Sequence, residues 1–326
     1  MAADDGRKPA RSSANLTVDR FLELHNVLMR EEAVAFGEMK SLVGIVTDRQ
    51  DEIAQSLKTA VILLNPGIVH RVGPGRIYVK IARAFAKIGV TALRFDFSSI
   101  GDSPARHDNL QFEKSAIRET RDAMDFLAST RGINSFVLLG GCSGARVALN
   151  TAAEDPRVVG ALLINFAAEE DEASHANEDF VHRRTRHYYR NYALRSLKSW
   201  SRLATGQANY RKIARMLWFE ARRRLGFRDN IPAGMPEFTT TLGRVVERGA
   251  SVTFLCSEGD PRREDLLAAG GQQFQELCAT GKVTLEVIPR SDHTFSSLHD
   301  QELLLKALLS RVEAATLESH LECASA

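Results

Sequence analysis

The sequence has few cysteines and little net charge, and each shortage argues against a class of protein. Its four cysteines lie far apart with no C-x-x-C pair: Cys142, Cys256, Cys278 and Cys323. This spacing argues against a zinc site and against a small disulfide scaffold. A formal charge of +2 is too small for the whole molecule to bind polyanions. We therefore expect no metal and no nucleic-acid partner.

Long apolar runs are also missing from the N-terminal part. Residues 1–16 are polar, carry charges of both signs and contain no apolar run long enough for a signal peptide or a membrane span. We expect a cytoplasmic protein without a membrane partner. A composition of 44% hydrophobic and 26% charged residues over 326 positions suits a globular chain with a sizeable core, built as one large domain with an insertion or as two smaller domains.

From residue 32 onward, short apolar runs alternate with helical stretches, which is typical of a parallel sheet covered on both faces. An opening antiparallel pair is predicted at residues 33–37 and 41–47. The further predicted strands are residues 60–64, 90–95, 135–139, 158–165, 252–256 and 283–288. The predicted helices are residues 17–30, 76–88 and 112–131, one starting at 145 and a last one starting at about 301. We expect an N-terminal extension (1–31), a core in two parts (32–168 and 237–326) and an insertion between them (169–236).

The insertion, residues 169–236, breaks the strand pattern with a long helical, Arg-rich stretch that we interpret as a cap. Between residues 181 and 228, fourteen Lys and Arg residues stand against one Glu. The interleaved aromatic residues are Tyr188, Tyr189, Tyr192, Trp200, Tyr210, Trp218 and Phe219. Basic and aromatic side chains together favour an anionic partner, such as coenzyme A or an acyl carrier protein. A solvated helical face paired with the acidic residues 169–172 explains the composition equally well.

Residues 138–145 read L-L-G-G-C-S-G-A, where a predicted strand ends and a helix begins. Small residues there permit the strained turn of a nucleophile elbow, G-x-S-x-G, which lifts one side chain above the sheet. Matching Gly140 and Gly144 to the outer glycines makes Cys142 the nucleophile and gives the Ser143 N–H to an oxyanion hole. A match shifted by one residue makes Ser143 the nucleophile instead. A phosphate-binding turn or a buried structural cysteine also fits this segment alone.

Partners for a nucleophile follow in the chain order nucleophile, acid, histidine. Of nine histidines, only His293 comes directly after the last predicted strand and before the last helix. An imidazole with a free pKa of about 6.5 can take the thiol proton there and return it to a leaving group. The expected orienting acid is Asp260, after the preceding strand, with Asp265 and Glu258 as alternatives. The competing interpretation of His293 is an ordinary surface histidine.

Residues 65–76 form a Gly- and Pro-rich loop after an early strand, where a second oxyanion donor is expected. Gly67 lets the backbone approach a substrate, and the N–H of Ile68 is the predicted donor. His70 and Arg71 are further candidates for lining the site. A loop that serves only turn geometry has the same composition.

Residues 64–74 read L-N-P-G-I-V-H-R-V-G-P, residues 93–103 read L-R-F-D-F-S-S-I-G-D-S, and residues 291–295 read S-D-H-T-F. With the Cys142 segment, these stretches resemble the α/β-hydrolase superfamily and, within it, the hydrolases associated with exosortase A systems. The resemblance implies an α/β-hydrolase fold with a mostly parallel central sheet, helices on both faces and an inserted helical cap. Cysteine replaces the usual serine nucleophile, as in dienelactone hydrolases, some thioesterases and polyhydroxyalkanoate synthases.

These residues predict an acyl hydrolase that acts on an ester or thioester through Cys142, His293 and Asp260, without a cofactor. One alternative is an acyltransferase that uses the same triad with a donor bound to coenzyme A or to a carrier protein. Another is a non-catalytic binding protein, since a fold does not determine a function.

Overall fold

A computed structural model describes residues 27–50, 58–168 and 236–325. Within them, one sheet contains β1 (Met29–Phe36), β2 (Leu42–Arg49), β3 (Thr59–Leu64), β4 (Thr91–Phe95), β5 (Ser135–Gly141), β6 (Val158–Ile164), β7 (Ser251–Ser257) and β8 (Val283–Ile288). The order across the sheet is β1-β2-β4-β3-β5-β6-β7-β8. β2 is antiparallel to both of its neighbours, and all other adjacent strands are parallel. The predicted mostly parallel sheet with an opening antiparallel pair is confirmed.

The described helices are α1 (Ile77–Lys87), α2 (Phe112–Arg131), α3 (Ser143–Glu154), α4 (Pro236–Glu247), α5 (Arg262–Ala279) and α6 (Leu298–Ser325). Short 3-10 turns lie at Glu38–Lys40 and Pro74–Arg76. Among these helices, none combines the length and the apolar character needed to cross a membrane.

Two hydrophobic clusters cover the two faces of the sheet. All side chains of β3 are buried, but they alternate: Ile62 and Leu64 join one cluster, whereas Val61 and Leu63 join the other. The first cluster contains residues of α2, α3, α4 and α5, and the second contains residues of α1 and α6. Burial on both faces explains why the central strands are continuous apolar runs.

Several predicted boundaries differ from the structure. Residues 29–30 belong to β1 rather than to a helix, so the predicted core boundary at residue 32 falls inside a strand. Burial alternates along β1 from Glu31 to Phe36, but Arg30 and Glu31 are adjacent, charged and both exposed, and they interrupt the alternation at the start of the strand. Helices α4 and α5 were not predicted, and α6 begins three residues before the expected start at 301. The N-terminal extension up to residue 26 and the cap up to residue 235 lie outside the described residues.

The parallel strands bring their carboxyl ends to one edge of the sheet, where α/β proteins bind ligands. The loops that follow β3, β5, β6, β7 and β8 therefore meet at this edge. They carry the predicted oxyanion loop, the elbow, the predicted acid and the predicted histidine.

Candidate active site

Cys142 lies at the sharp turn between β5 and α3. Its φ of 54° and ψ of −117° place a non-glycine residue at positive φ, a conformation that persists only where the surroundings impose it. The Cys142 N–H donates to the carbonyl of Ile164 at 2.9 Å, and its carbonyl accepts from the N–H of Ala145 at 3.2 Å. These bonds hold the turn, whose position between a strand and a helix is that of the predicted nucleophile elbow.

Glycines on either side of Cys142 allow close backbone packing. A Cβ on Gly140 would lie 2.2 Å from the backbone of Gly144, and a Cβ on Gly144 would lie 2.5 Å from the carbonyl oxygen of Asn65. A Cβ on Gly141 would meet its nearest atoms at 3.4 Å, which is ordinary contact. The packing therefore requires the glycine pair that brackets Cys142, and this favours the register with Cys142 at the turn.

Ser143 begins α3 and faces the loop after β3. Its Oγ accepts the N–H of Gly67 at 2.9 Å, so the alternative nucleophile is hydrogen-bonded to that loop. The first N–H groups of a helix have no intrahelical partner, and the Ser143 N–H is one of them. Ile68, the other predicted donor, is 93% exposed at the surface of the loop. The two predicted halves of the oxyanion hole are thus joined through Gly67 and Ser143.

His293 follows β8 and hydrogen-bonds through Nδ1 to Oδ2 of Asp260. Asp260 is buried, whereas the side chain of His293 is partly exposed. Of the two alternative acids, Glu258 accepts the N–H of Arg290 at 2.7 Å, and Asp265 is buried within α5. The structure thus brings Asp260 to His293.

Arg262, the first residue of α5, was not predicted as a site residue. Its Nη1 donates to Sγ of Cys142 at 3.0 Å and lies 3.4 Å from Nε2 of His293. The only sequence signal was its position two residues after Asp260. A permanent positive charge therefore lies beside the thiol and the imidazole.

The electrostatic environment favours the thiolate form of Cys142 and the protonated imidazole of His293. Burial opposes ionisation of Cys142, but the hydrogen bond with His293 and the charge of Arg262 outweigh it and lower the pKa of the thiol. The hydrogen bond to Asp260, followed by that to Cys142, raises the pKa of His293 to about 9. Burial likewise opposes ionisation of Asp260, but the hydrogen bond from His293 lowers the pKa of this carboxyl below its usual value.

Alkylation of Cys142 by iodoacetamide should therefore reach half of its maximal rate at a pH below the ordinary thiol pKa of 9.0. The thiolate is the reactive form, so a lowered pKa moves the rate profile toward acid. His293→Ala removes a hydrogen bond that lowers this pKa and should move the midpoint upward. Quantifying the alkylated Cys142 peptide between pH 5 and about 10 measures both midpoints. The same midpoint in the wild type and in His293→Ala protein would contradict a hydrogen bond between His293 and the Cys142 thiol. Cys256, whose pKa burial raises to about 12, is the internal control.

Most of the sequence matches one known protein family. A model of the "Alpha/beta hydrolase family" matches residues 61–307. The chain belongs to this family. Membership supports a hydrolase in general terms, and the predicted fold class is confirmed. No curated protein matches the sequence.

Solved structures similar to this alpha/beta hydrolase come from several organisms. A structure from a study of carboxylesterases of the thaumarchaeon Nitrososphaera gargenis is 13% identical, with a TM-score of 0.54, and the match covers 88% of this chain and 100% of that one. Proline iminopeptidase of Mycobacterium smegmatis is 16% identical, with a TM-score of 0.51 and coverage of 89% and 100%. An esterase of Pyrococcus furiosus is 12% identical, with a TM-score of 0.51 and coverage of 91% and 94%. At these identities the similarity shows the fold alone.

Asn165 connects the loops of this alpha/beta hydrolase that carry the predicted acid and the histidine. Its Nδ2 donates to the carbonyl of His293 at 2.9 Å, and its Oδ1 accepts the N–H and the hydroxyl of Ser257 at 2.8 and 3.1 Å. Asn165 is buried just after β6. The sequence signal for this role is a polar residue directly after an apolar parallel strand.

Asp96 anchors the loop after β3. Its buried carboxylate accepts the backbone N–H of Arg71 at 2.5 Å, the side-chain amide of Asn65 at 3.3 Å and the N–H of Asp102 at 3.2 Å. The Arg71 guanidinium binds the same carboxylate and that of Asp102. Arg71, predicted to line the site, therefore ties its own loop to two carboxylates. His70, the other candidate, is exposed.

Tyr78 of α1 links the end of β3 to the elbow. Its buried hydroxyl donates to the carbonyl of Leu64 at 2.9 Å and accepts the N–H of Gly141 at 3.0 Å. Burial raises the pKa of this phenol, so it stays protonated and keeps its donor. Tyr78 thereby links the end of β3 to the residue before Cys142.

Tyr78→Phe should destabilise the protein, because it leaves the Leu64 carbonyl and the Gly141 N–H without this buried partner. Each buried polar group left unpaired costs about 1–3 kcal/mol. Urea denaturation should show a lower free energy of unfolding. Turnover should also fall, because the Gly141 N–H next to Cys142 loses its hydrogen bond to the Tyr78 hydroxyl. A variant equal to the wild type in both measurements would contradict this role.

Proposed function

We propose that the protein is an acyl hydrolase that cleaves an ester or thioester through Cys142, His293 and Asp260. The observation that carries the proposal is the hydrogen bond of the His293 imidazole to the buried Asp260 carboxylate, next to a guanidinium, that of Arg262, which contacts both the thiol at the elbow and the imidazole. A nucleophile, a base and an orienting group in this arrangement are the components of covalent acyl transfer.

In the proposed acylation step, the proton of the Cys142 thiol already lies on Nε2 of His293, and the Sγ thiolate attacks the carbonyl carbon. The carbonyl oxygen becomes an oxyanion, which the N–H groups of Ser143 and Ile68 stabilise. When the tetrahedral intermediate collapses, the bond to the leaving alcohol or thiol breaks, and His293 returns the proton to it. Asp260 holds the ring with Nε2 directed at the sulfur.

In the proposed deacylation step, water attacks the thioester of Cys142 and gives a proton to His293. The C–S bond breaks, the free acid leaves, and the Cys142 thiolate is restored beside His293, which keeps that proton. An amine, alcohol or thiol in place of water would make the same site an acyltransferase.

Two finer assignments belong to the same proposal. Because residues 64–74 and 93–103 resemble the hydrolases associated with exosortase A systems, we group the chain with them. On the charge of residues 181–228, which lie outside the described part of the chain, we propose coenzyme A or an acyl carrier protein as the donor of the acyl group.

Product analysis with acyl-coenzyme A, acyl carrier protein and simple esters tests the proposal. Free acid released at a rate that depends on Cys142 supports hydrolysis, whereas an acyl group recovered on an added acceptor supports transfer. Binding of the acyl compound without turnover would favour the non-catalytic alternative and overturn the proposal.

A further inference from the structure

We propose that Asn165 positions the imidazole of His293 relative to the thiol of Cys142. Asn165 reaches His293 at the backbone carbonyl rather than at the ring, so it is a positioning residue and not a catalytic one. This inference deepens the proposed function and rests on it, because it assumes that His293 acts on the Cys142 thiol.

The end of β6, where Asn165 lies, is bonded to all three segments of the proposed triad. The carbonyl of the residue before Asn165 accepts the N–H of Cys142 at 2.9 Å. The Asn165 amide binds the carbonyl of His293 and both the N–H and the hydroxyl of Ser257. The carbonyl of Ser257 accepts the N–H of Asp260 at 3.1 Å. A displacement at Asn165 is therefore transmitted to the nucleophile, the acid and the histidine.

The partners of the Asn165 amide determine its orientation. A backbone N–H can only donate, so Oδ1 faces the N–H of Ser257 at 2.8 Å. A carbonyl can only accept, so Nδ2 faces the carbonyl of His293 at 2.9 Å. Asn165 is 1% exposed, which leaves little room for water to replace either bond. Only a side chain that both accepts and donates satisfies the two partners.

The backbone of Asn165 also favours asparagine. Its φ of 47° lies in the left-handed region, which asparagine adopts more readily than most residues with a side chain. Glycine adopts the same φ at no steric cost. Asn165→Gly therefore removes the amide and keeps the backbone conformation.

The His293 ring is held at one end only by Asp260, which contacts Nδ1. At the other end, Nε2 lies 3.4 Å from Nη1 of Arg262, and this same Nη1 donates to Sγ of Cys142 at 3.0 Å. Asn165 holds the backbone from which the ring extends. Two fixed points, the carboxylate and the backbone carbonyl, thus define where Nε2 lies.

A simpler role for Asn165 is to stabilise the fold by satisfying buried polar groups. That role lowers the free energy of unfolding in a variant but leaves the thiol unchanged in the molecules that stay folded. A positioning role changes the ionisation of the thiol in folded protein. Burial opposes ionisation of Cys142, whereas His293 and Arg262 lower the pKa of the thiol, so a displaced imidazole should raise that pKa.

The pH dependence of Cys142 alkylation by iodoacetamide separates the two roles. Asn165→Gly should move the midpoint upward by up to about one pH unit, the size of one hydrogen-bond contribution. In His293→Ala protein the same substitution should cause no further shift, because no imidazole remains to be displaced. Ser257→Ala is the matched control. It removes one of the two bonds to Oδ1, keeps the bond to His293 and should leave the midpoint unchanged.

Three results would overturn the inference. One is an unchanged midpoint in folded Asn165→Gly protein, and another is an equal shift with and without the imidazole. The third is a shift in Ser257→Ala protein as large as that in Asn165→Gly protein, which would assign the effect to the buried network rather than to the bond with His293.

Asn165→Asp provides the same cycle if Asn165→Gly protein does not fold. It has the shape of asparagine and keeps an acceptor for Ser257, but the ionised carboxylate cannot donate to the His293 carbonyl. Its new charge acts on the thiol whether or not the imidazole is present. Only the part of the shift that disappears in His293→Ala protein reports positioning, and its absence would overturn the inference.

Turnover gives a second measurement. With a chromogenic ester, Asn165→Gly should lower kcat by up to about 100-fold and leave KM nearly unchanged, because a misplaced catalytic group slows the chemical step. The alkylation test requires no turnover, so the two proposals can fail separately. An unchanged midpoint in a protein that hydrolyses esters overturns the role of Asn165 alone. The expected shift in a protein that hydrolyses no ester overturns the hydrolase proposal and supports the positioning role.

Discussion

Cys142→Ala should lower kcat/KM for an acyl substrate by about 10⁴-fold or more, since without the thiol no acyl-enzyme forms. Removing the nucleophile of a catalytic unit usually removes nearly all of its rate enhancement, because the other members have nothing to activate. Steady-state kinetics with a chromogenic ester measure the loss, and circular dichroism checks that the variant is folded.

Two control variants make the Cys142 result specific. Cys278→Ala removes another free thiol that is distant in sequence from the site and should leave the activity unchanged. Ser143→Ala removes the acceptor of the Gly67 N–H and should cause a smaller loss than Cys142→Ala. If Ser143→Ala were the inactivating change and Cys142→Ala kept its activity, the register of the elbow would be wrong.

Asp260→Asn should lower kcat by about 10⁴-fold while leaving a folded protein, because an amide no longer favours the imidazole tautomer that accepts the thiol proton. The pKa of His293 should also fall from about 9, since the hydrogen bond to Asp260 is the main cause of its elevation. NMR titration of the His293 ring reports that pKa, and the kinetics report the rate.

Glu258→Gln is the matched carboxyl-to-amide control for Asp260. Glu258 accepts the backbone N–H of Arg290 at 2.7 Å, a bond that the side-chain oxygen of glutamine can also accept. Its activity should stay near that of the wild type. An inactive Glu258→Gln or Asp265→Asn variant beside an active Asp260→Asn variant would assign the acid to a different carboxylate.

Much of the fold could be predicted because its strands are buried on both faces. The predicted runs at β3, β4 and β8 match the structure closely, and β8 matches at both ends. Apolar strands of this kind are easily recognised in the sequence between more polar helices. Helix α5 is harder to recognise in the sequence. It contains two adjacent glycines, at residues 270–271, with positive φ at Gly271, and this kink interrupts the periodicity that reveals a helix.

The triad candidates could be predicted because they follow strands in a fixed chain order, but their supports could not. Asn165, Asp96 and Tyr78 act through contacts between residues that are distant in sequence. Arg262 lies 120 residues from Cys142 in the sequence. It is recognised as a site residue only because its guanidinium lies beside the thiol in the folded chain. Single-sequence patterns contain no information on such distances.

Mass spectrometry of the protein mixed with an acyl-thioester substrate and quenched rapidly tests the central claim most directly. We expect the acyl group on the Cys142 peptide of the wild-type protein and no acyl group on the corresponding peptide of Cys142→Ala protein. An acyl group found on Ser143, or substrate turnover with no adduct on Cys142 at any time, would contradict the account.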